Sequence, residues 1–537
     1  MFSRPLKAIA LVTAITMTLP GASAQVEVGG LGAVDPFGVG FLEDGERAMP
    51  TDMWKASRTE DLLPLMRQVR TRNLTPAERS LLRRVALSPA ARPDGEDAGD
   101  VLAERARILY ELGEAEAAAD LMARLEENPR GLDGDAVAVD LQLALGNERS
   151  ACARVPAEPG AGAFWARLRA VCAVLRDDQA AAELAVEFAQ AAGVDDDWFY
   201  KAVLSPALPE DASRPPAKFD TGLNLALSTK LGLEPPDNAI TPTRPDLATA
   251  MATRQSLPVT IRVLAAGVSA EAGLMDARAH RRLYSELLKT EGFKPARPIE
   301  VAVLAFDEAG TDDAERARKL AMALRSSSAN PARFAAASRL FSNDLARLPR
   351  NRETVRYALT FAQSELAAGN LEKAQSWSRA VGIKDAPPVD DFAHAMIDGL
   401  ILLSKERADR RDLNRVAGRL VEHAKGVERK AEAARLFALW TALDMPPPAA
   451  ARALMAAQPP NPEAGGSDWR MLAIEAAAEA DAAGEAVLSI LALTRGDPSR
   501  LPETDMIAIV DALAAIGADD VSRELALEAA GYWKSVR

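Results

Sequence analysis

The stretch VLAERARILYELGEAEAAADLMARLEENP, residues 101–129, decides the fold. Leu102, Ala106, Leu109 and Leu112 recur at helical spacing and line one face, and Gly113 interrupts the pattern where a helix would end. Ala115, Ala118, Leu121, Met122 and Leu125 restart it, and Asn128-Pro129 closes it, because proline cannot continue a helix. The stretch therefore reads as one helical hairpin. The same grammar returns over Glu353 to Val381: a helix to Ala368, a turn at Gly369-Asn370, and a second helix carrying Ala374. Gly113 and Gly146 lie 33 residues apart, as do Gly484 and Gly517, and weaker turns at Asp177, Gly193, Gly273, Gly310 and Asp444 fill the intervals. A period near 34 is the mark of stacked helical hairpins.

These residues resemble the tetratricopeptide repeat, which places a small residue on the first helix, glycine at the turn and alanine on the second helix. Ala106, Gly113 and Ala118 match, with Pro129 near the closing proline, and Ala362, Gly369 and Ala374 match likewise. The chain diverges from the family consensus in lacking most of its large aromatics. The resemblance implies an all-α solenoid of divergent hairpins, whose concave surface holds a protein or peptide.

Composition agrees with that class. Aromatics are 5% of the 537 residues, and alternating strand-type patterns are nearly absent. Thr75-Pro76-Ala77-Glu78 is a helix start, with threonine as N-cap and proline at the first helical position. Residues 25–55 are glycine-rich and read as an extended N-terminal segment. Helical repeats are expected over 56–204, 259–445 and 446–537, separated by a proline-rich linker at 205–258. Within that linker only Gly222 to Leu231 and Pro245 to Arg254 can form short helices. A second interruption runs through Pro446-Pro447-Pro448 and Pro459-Pro460-Asn461-Pro462.

The first 24 residues set the compartment. Arg4 and Lys7 precede a 12-residue apolar run from Ala8 to Leu19, and Ala22-Ser23-Ala24 supplies small residues at a cleavage site. Cleavage between Ala24 and Gln25 is expected, with a periplasmic product. Losing Arg4 and Lys7 takes the formal charge from −13 to −15. That balance opposes nucleic acid, whose binding depends on neutralising phosphates with Lys and Arg. It equally opposes an electrostatic grip on anionic lipid. No later stretch is apolar for long enough to insert stably in a membrane.

Chemistry is thinly represented. Cys152 and Cys172 are the only thiols, and in an exported chain they are expected to form a disulfide between neighbouring helices. Cys152 lies four residues before Pro156 and Cys172 ten after Gly162, so an antiparallel pair would bring them level only with offset helix starts. His280, His394 and His423 are scattered and form no zinc-type pair, each expected on a wet helix face or beside a capping neighbour. No Gly-Lys dipeptide exists for a phosphate loop. Asp195-Asp196-Asp197 reads as a helix N-cap rather than a calcium loop. The seven tryptophans read as core anchors.

Gly273-Leu274-Met275 is similar to the Gly-Leu-Met element of lytic transglycosylases, yet Arg254-Gln255-Ser256-Leu257 stands where their catalytic acid would lie. No catalytic residue, cofactor or metal site is expected, and no binding residue can be named from sequence. The leading expectation is a non-catalytic periplasmic scaffold or adaptor for a protein or peptide partner in the cell envelope. The alternative is an envelope enzyme, or its regulator, acting on peptidoglycan or exported polysaccharide.

Overall fold

In the computed structural model the described residues are 35–125, 129, 131–157, 162–209, 213–236, 238, 240, 244–459 and 469–534. The expected export signal and its cleavage site at Ala24 and Gln25 lie outside them. Among the described residues the fold is all-α: 26 helices and no strand.

Helices α1 (Thr59–Gln68) and α2 (Pro76–Leu87) lead into α3 (Ala98–Leu112), which pairs with α4 (Ala115–Met122). α5 (Gly134–Ala144) and α6 (Glu148–Ala153) follow, then α7 (Ala163–Leu175), α8 (Gln179–Ala191), α9 (Asp197–Leu204) and α10 (Gly222–Lys230). α11 (Pro245–Thr253) pairs with α12 (Val259–Glu271), and α13 (Ala277–Leu288) precedes the pair α14 (Pro298–Asp307) and α15 (Asp313–Ser326). After the long α16 (Pro331–Arg347) come the pairs α17 (Ala358–Ala367) with α18 (Leu371–Ala380) and α19 (Asp391–Leu403) with α20 (Arg410–His423). α21 (Gly426–Ala442) and α22 (Ala449–Ala456) precede α23 (Trp469–Glu479) with α24 (Ala483–Thr494) and α25 (Glu503–Ala515) with α26 (Asp519–Ala529).

The two hairpins expected from sequence are α3–α4 and α17–α18. Gly113 at φ +90° and Gly369 at φ +76° turn the chain in the left-handed region that glycine enters without steric cost. Ala106, Ala118, Ala362 and Ala374 are all fully buried, as close helix packing requires. The first helix of the second hairpin begins later than expected, because residues 355–357 form a 3-10 turn before Ala358. Thr75 and Glu78 form the reciprocal capping box of α2.

Gly484 departs from its expected role. The turn before α24 is made by Asp481 at φ +59°, while Gly484 lies inside the helix. Its own constraint is space: a Cβ there would sit 2.1 Å from the indole of the buried Trp54, 430 residues earlier. Its amide donates to the Met53 carbonyl at 3.1 Å.

The described parts of the proline-rich stretch pack into the body. α10 buries Gly222 through Ser228 almost completely and packs on α5 and α7. Asp140 of α5 caps it, accepting from the Gly222 and Leu223 amides at 2.9 and 2.8 Å. Arg244 stacks 4.1 Å over the Tyr110 ring and pairs with Asp246 at 3.1 Å, anchoring the start of α11 against α3. Residues 36–537 accordingly form a single unit. Within that unit residues 36–49 lie against the helices, with Phe37 and Met49 buried and the Phe41 amide donating to the Leu87 carbonyl at 2.8 Å.

The two ends of the helical array meet at α2, which packs against α3, α16, α24 and α26. Glu528 of α26 accepts from the Ala77 amide at 2.9 Å, and Glu78 accepts from Gly496 at 2.8 Å. Arg84 pairs with Asp520, and Ser57 donates to Glu485 at 2.7 Å. Complete burial raises the Glu528 pKa well above its ordinary value of 4.5; the Thr75 and Ala77 hydrogen bonds oppose this, and the charges of Glu78 and Glu524 add to it.

Two outcomes follow from these contacts. A Cβ at position 222 would lie 1.9 Å from the Asp140 carbonyl oxygen, so Gly222→Ala should destabilise the chain by about 2–3 kcal/mol in denaturant titration. Glu528 has a raised folded-state pKa, so the native chain holds a proton that the unfolded chain gives up above about pH 4.5, and its contribution declines as pH rises from there. Glu528→Gln should therefore raise the thermal midpoint more at about pH 7.5 than at about pH 5, and an equal shift at both would contradict the assignment.

Candidate functional site

Among the described residues, the groove with surplus charge lies along α13 and α16. Asp276 caps α13, accepting from the Ala279 amide at 2.8 Å, and thereby sets which side chains face inward. His280, Leu283, Tyr284 and Leu287 are buried, leaving Arg278, Arg281 and Arg282 on the outer side. With Asp307, Asp344, Arg347, Leu340 and Asn343 they line a cavity of about 570 Å³.

Asp344 organises this surface. Its carboxyl is buried, accepts from Arg281 Nε at 2.8 Å, and bonds Arg347 through its other oxygen. Arg281 is further fixed by Asp307 at 2.8 Å and by the Ser285 hydroxyl at 2.6 Å, so its fork is fully engaged. Desolvation lowers the Arg281 pKa, but its bonds to Asp307 and Asp344 outweigh that and hold it raised. Four arginines against two aspartates leave two positive charges in excess. The excess belongs to Arg278 and Arg282, which are exposed and have no carboxylate within ion-pair distance among the described residues. Such a surface can bind an anion, since guanidinium presents a planar fork that fits carboxylate and phosphate.

A second cavity of about 350 Å³ at the α2–α26 seam is also lined by arginine. There the charges are consumed: Arg83 pairs with Glu46 and Glu114, while Arg84 and Arg47 both reach Asp520. Arg84 and Arg47 join the ends of the array through Asp520, and no lining arginine is left over.

Cys152 and Cys172 are joined, with Cα atoms 5.7 Å apart. Arg169 of α7 donates to the Pro156 carbonyl, which places the chain just after α6 beside α7 and fits the offset helix starts that the spacing requires. Asp196 caps α9 through the Phe199 amide at 3.1 Å, as expected of the acidic run. Gly273 turns the chain at φ +77°, and Leu274 and Met275 are half-buried in that turn. Most tryptophans are buried or half-buried, but Trp469 is 84% exposed.

His280 is not on a wet face: it is 4% exposed, rests 5.3 Å from the Tyr284 ring, and its Nε2 has no hydrogen-bond partner among the described residues. Burial, with Arg339 adding to it, drives its pKa down to about 4. His394 contacts the Ser378 hydroxyl at 3.1 Å. No group of three or more His, Cys, Asp or Glu side chains among the described residues is placed to hold a metal.

The arginine groove was not singled out from sequence. Its one local signal is the i, i+3, i+4 spacing of Arg278, Arg281 and Arg282, which looks like an ordinary solvated helix face until α16 supplies Asp344 and Arg347. No family model, curated protein or solved structure matches the chain.

Reduction of the disulfide should lower stability by about 3 kcal/mol, the entropy of releasing a loop of this length, and Cys152→Ala/Cys172→Ala should match the reduced protein. His280 is neutral when folded and takes up a proton on unfolding between its ordinary 6.5 and about 4. Stability should fall as pH drops through that window, by up to roughly 3 kcal/mol from this group. His280→Phe should flatten the decline measured by urea titration.

Proposed function

We propose that the chain is a non-catalytic helical-repeat scaffold or adaptor of the bacterial cell envelope, holding a protein or peptide partner. The observation that carries this reading is an array of paired helices bearing an open groove with two unneutralised arginines, set in a chain of net charge −13. Hairpins stacked on their neighbours spend their apolar faces on one another and leave an extended ridged surface free for partners, which is how such arrays act as adaptors.

The compartment rests on three features: the leader-like first 24 residues, the Cys152–Cys172 disulfide, and the absence, among the described residues, of a helix long and apolar enough to cross a membrane. The tetratricopeptide-like grammar of the two clearest hairpins is part of the same reading.

The oxidised protein immobilised through its C-terminus should recover one reproducible partner from envelope extract, and repeated recovery of nothing would count against a scaffold. Turnover of labelled peptidoglycan by the purified protein, abolished by a single carboxylate substitution, would replace this reading with the enzymatic one. N-terminal sequencing of the secreted protein should begin at Gln25.

A further inference from the structure

We propose that the α13–α16 groove is the docking site for an acidic, carboxylate-bearing extended segment of the partner, an assignment that rests on the scaffold reading. Three features of the groove lead to that chemistry.

The first is uncompensated charge. Like charges at i and i+4 on a helix repel, and Arg278 and Arg282 stand in that relation with the nearby carboxylates already occupied: Asp344 by Arg281 and Arg347, Asp307 by Arg281 and Ser285, and Glu286, one turn beyond Arg282, by Arg262. A ligand carrying carboxylates meets two donors that need not break an existing pair to receive it.

The second is spacing. Side chains one helical turn apart stand roughly 5–6 Å from each other at Cβ, and alternate residues of an extended chain project to the same side about 6.6 Å apart. An extended segment with Asp or Glu at every second position therefore offers one carboxylate to each arginine.

The third is the lining. About 570 Å³ is far larger than one oxyanion requires, and beside the arginines it presents the exposed Asn343, with Leu340 buried beneath. Room for several residues, together with an amide able to bond a backbone group, suits a peptide. Arg281 and Arg347 are held by the buried Asp344, so this wall is already ordered before a ligand arrives.

The probe is a fluorescein-labelled Glu-Ser-Glu-Ser-Glu-Ser-Glu peptide titrated by anisotropy against the full chain at low ionic strength. The wild-type protein should show saturable one-to-one binding that weakens with salt, and the lysine counterpart of the peptide should not bind. Arg278→Gln/Arg282→Gln should weaken binding roughly tenfold or more, whereas Arg410→Gln/Arg411→Gln, exposed on α20, should leave it unchanged. Both variants remove only exposed groups, and circular dichroism and thermal melting confirm that each is folded.

The proposal is overturned by absence of saturable binding to the wild type, by equal affinity in the groove variant, or by equal loss in the α20 variant. It is overturned as well if inorganic pyrophosphate displaces the peptide at equal concentration, since the site would then take isolated oxyanions. Extract capture separates the two readings. A partner recovered equally by wild type and groove variant removes the groove and keeps the scaffold, whereas no partner from either removes the scaffold while the peptide titration still decides the groove.

Discussion

The structure depends on the meeting of its two ends at α2. An array of helical hairpins buries each unit only against its neighbours, so its terminal units expose apolar faces that must be covered. Here each end covers the other. α2 lies between α3 on one side and α24 and α26 on the other, and seven of its twelve residues are buried. The polar groups exposed by any helix start are met across the same seam: Glu528 receives the Ala77 amide, and Glu78 reaches both the Thr75 and Gly496 amides. A carboxyl is well placed at a helix N-terminus, where the dipole favours negative charge, yet the seam is dry enough that burial still raises the Glu528 pKa. The C-terminal residues extend the closure, with Gln363 of α17 donating to the Tyr532 and Lys534 carbonyls and Arg435 of α21 to Ala529 and Leu501.

Two glycines show how tightly this closure and the central insertion are packed. Neither Gly222 nor Gly484 has a positive φ; each is glycine because another part of the chain occupies the space a Cβ would need. At Gly222 the occupant is the backbone of α5, which lets Asp140 reach over the start of α10. At Gly484 it is the Trp54 ring, which lets the first turns of the described chain lie against α24. In both cases the close approach joins segments far apart in sequence, whereas a turn glycine such as Gly369 has open surroundings and is constrained by its positive φ instead.

Charge is used differently on two faces of the same molecule. At the α2–α26 seam every lining arginine finds a carboxylate, and the network serves cohesion. In the α13–α16 groove Asp344 and Asp307 are spent holding Arg281 and Arg347, and Arg278 and Arg282 are left over. The groove thus carries a local surplus of cations in an otherwise acidic chain, and the seam does not.

The helical class, the hairpins around Gly113 and Gly369, the caps at Thr75 and Asp196, and the Cys152–Cys172 pairing were legible in the sequence. Each is governed by residues within about two helical turns of one another, or by a pair with no competing partner: periodicity, turn glycines, capping chemistry and the thiol count are local or exhaustive signals. The true role of Gly484, the burial of His280, the incorporation of the proline-rich stretch and the closure at α2 were not legible. Their causes are contacts across large separations, such as Trp54 on Gly484 or Asp140 on Gly222, and prolines report only where a helix stops, not whether the chain around them is packed. The groove is the same case in miniature: Arg278, Arg281 and Arg282 are equivalent in the sequence of α13, and only the approach of α14 and α16, bringing Asp307 and Asp344 to one of them, decides which arginine is tied into the structure and which two stay outside ion-pair distance of a carboxylate among the described residues.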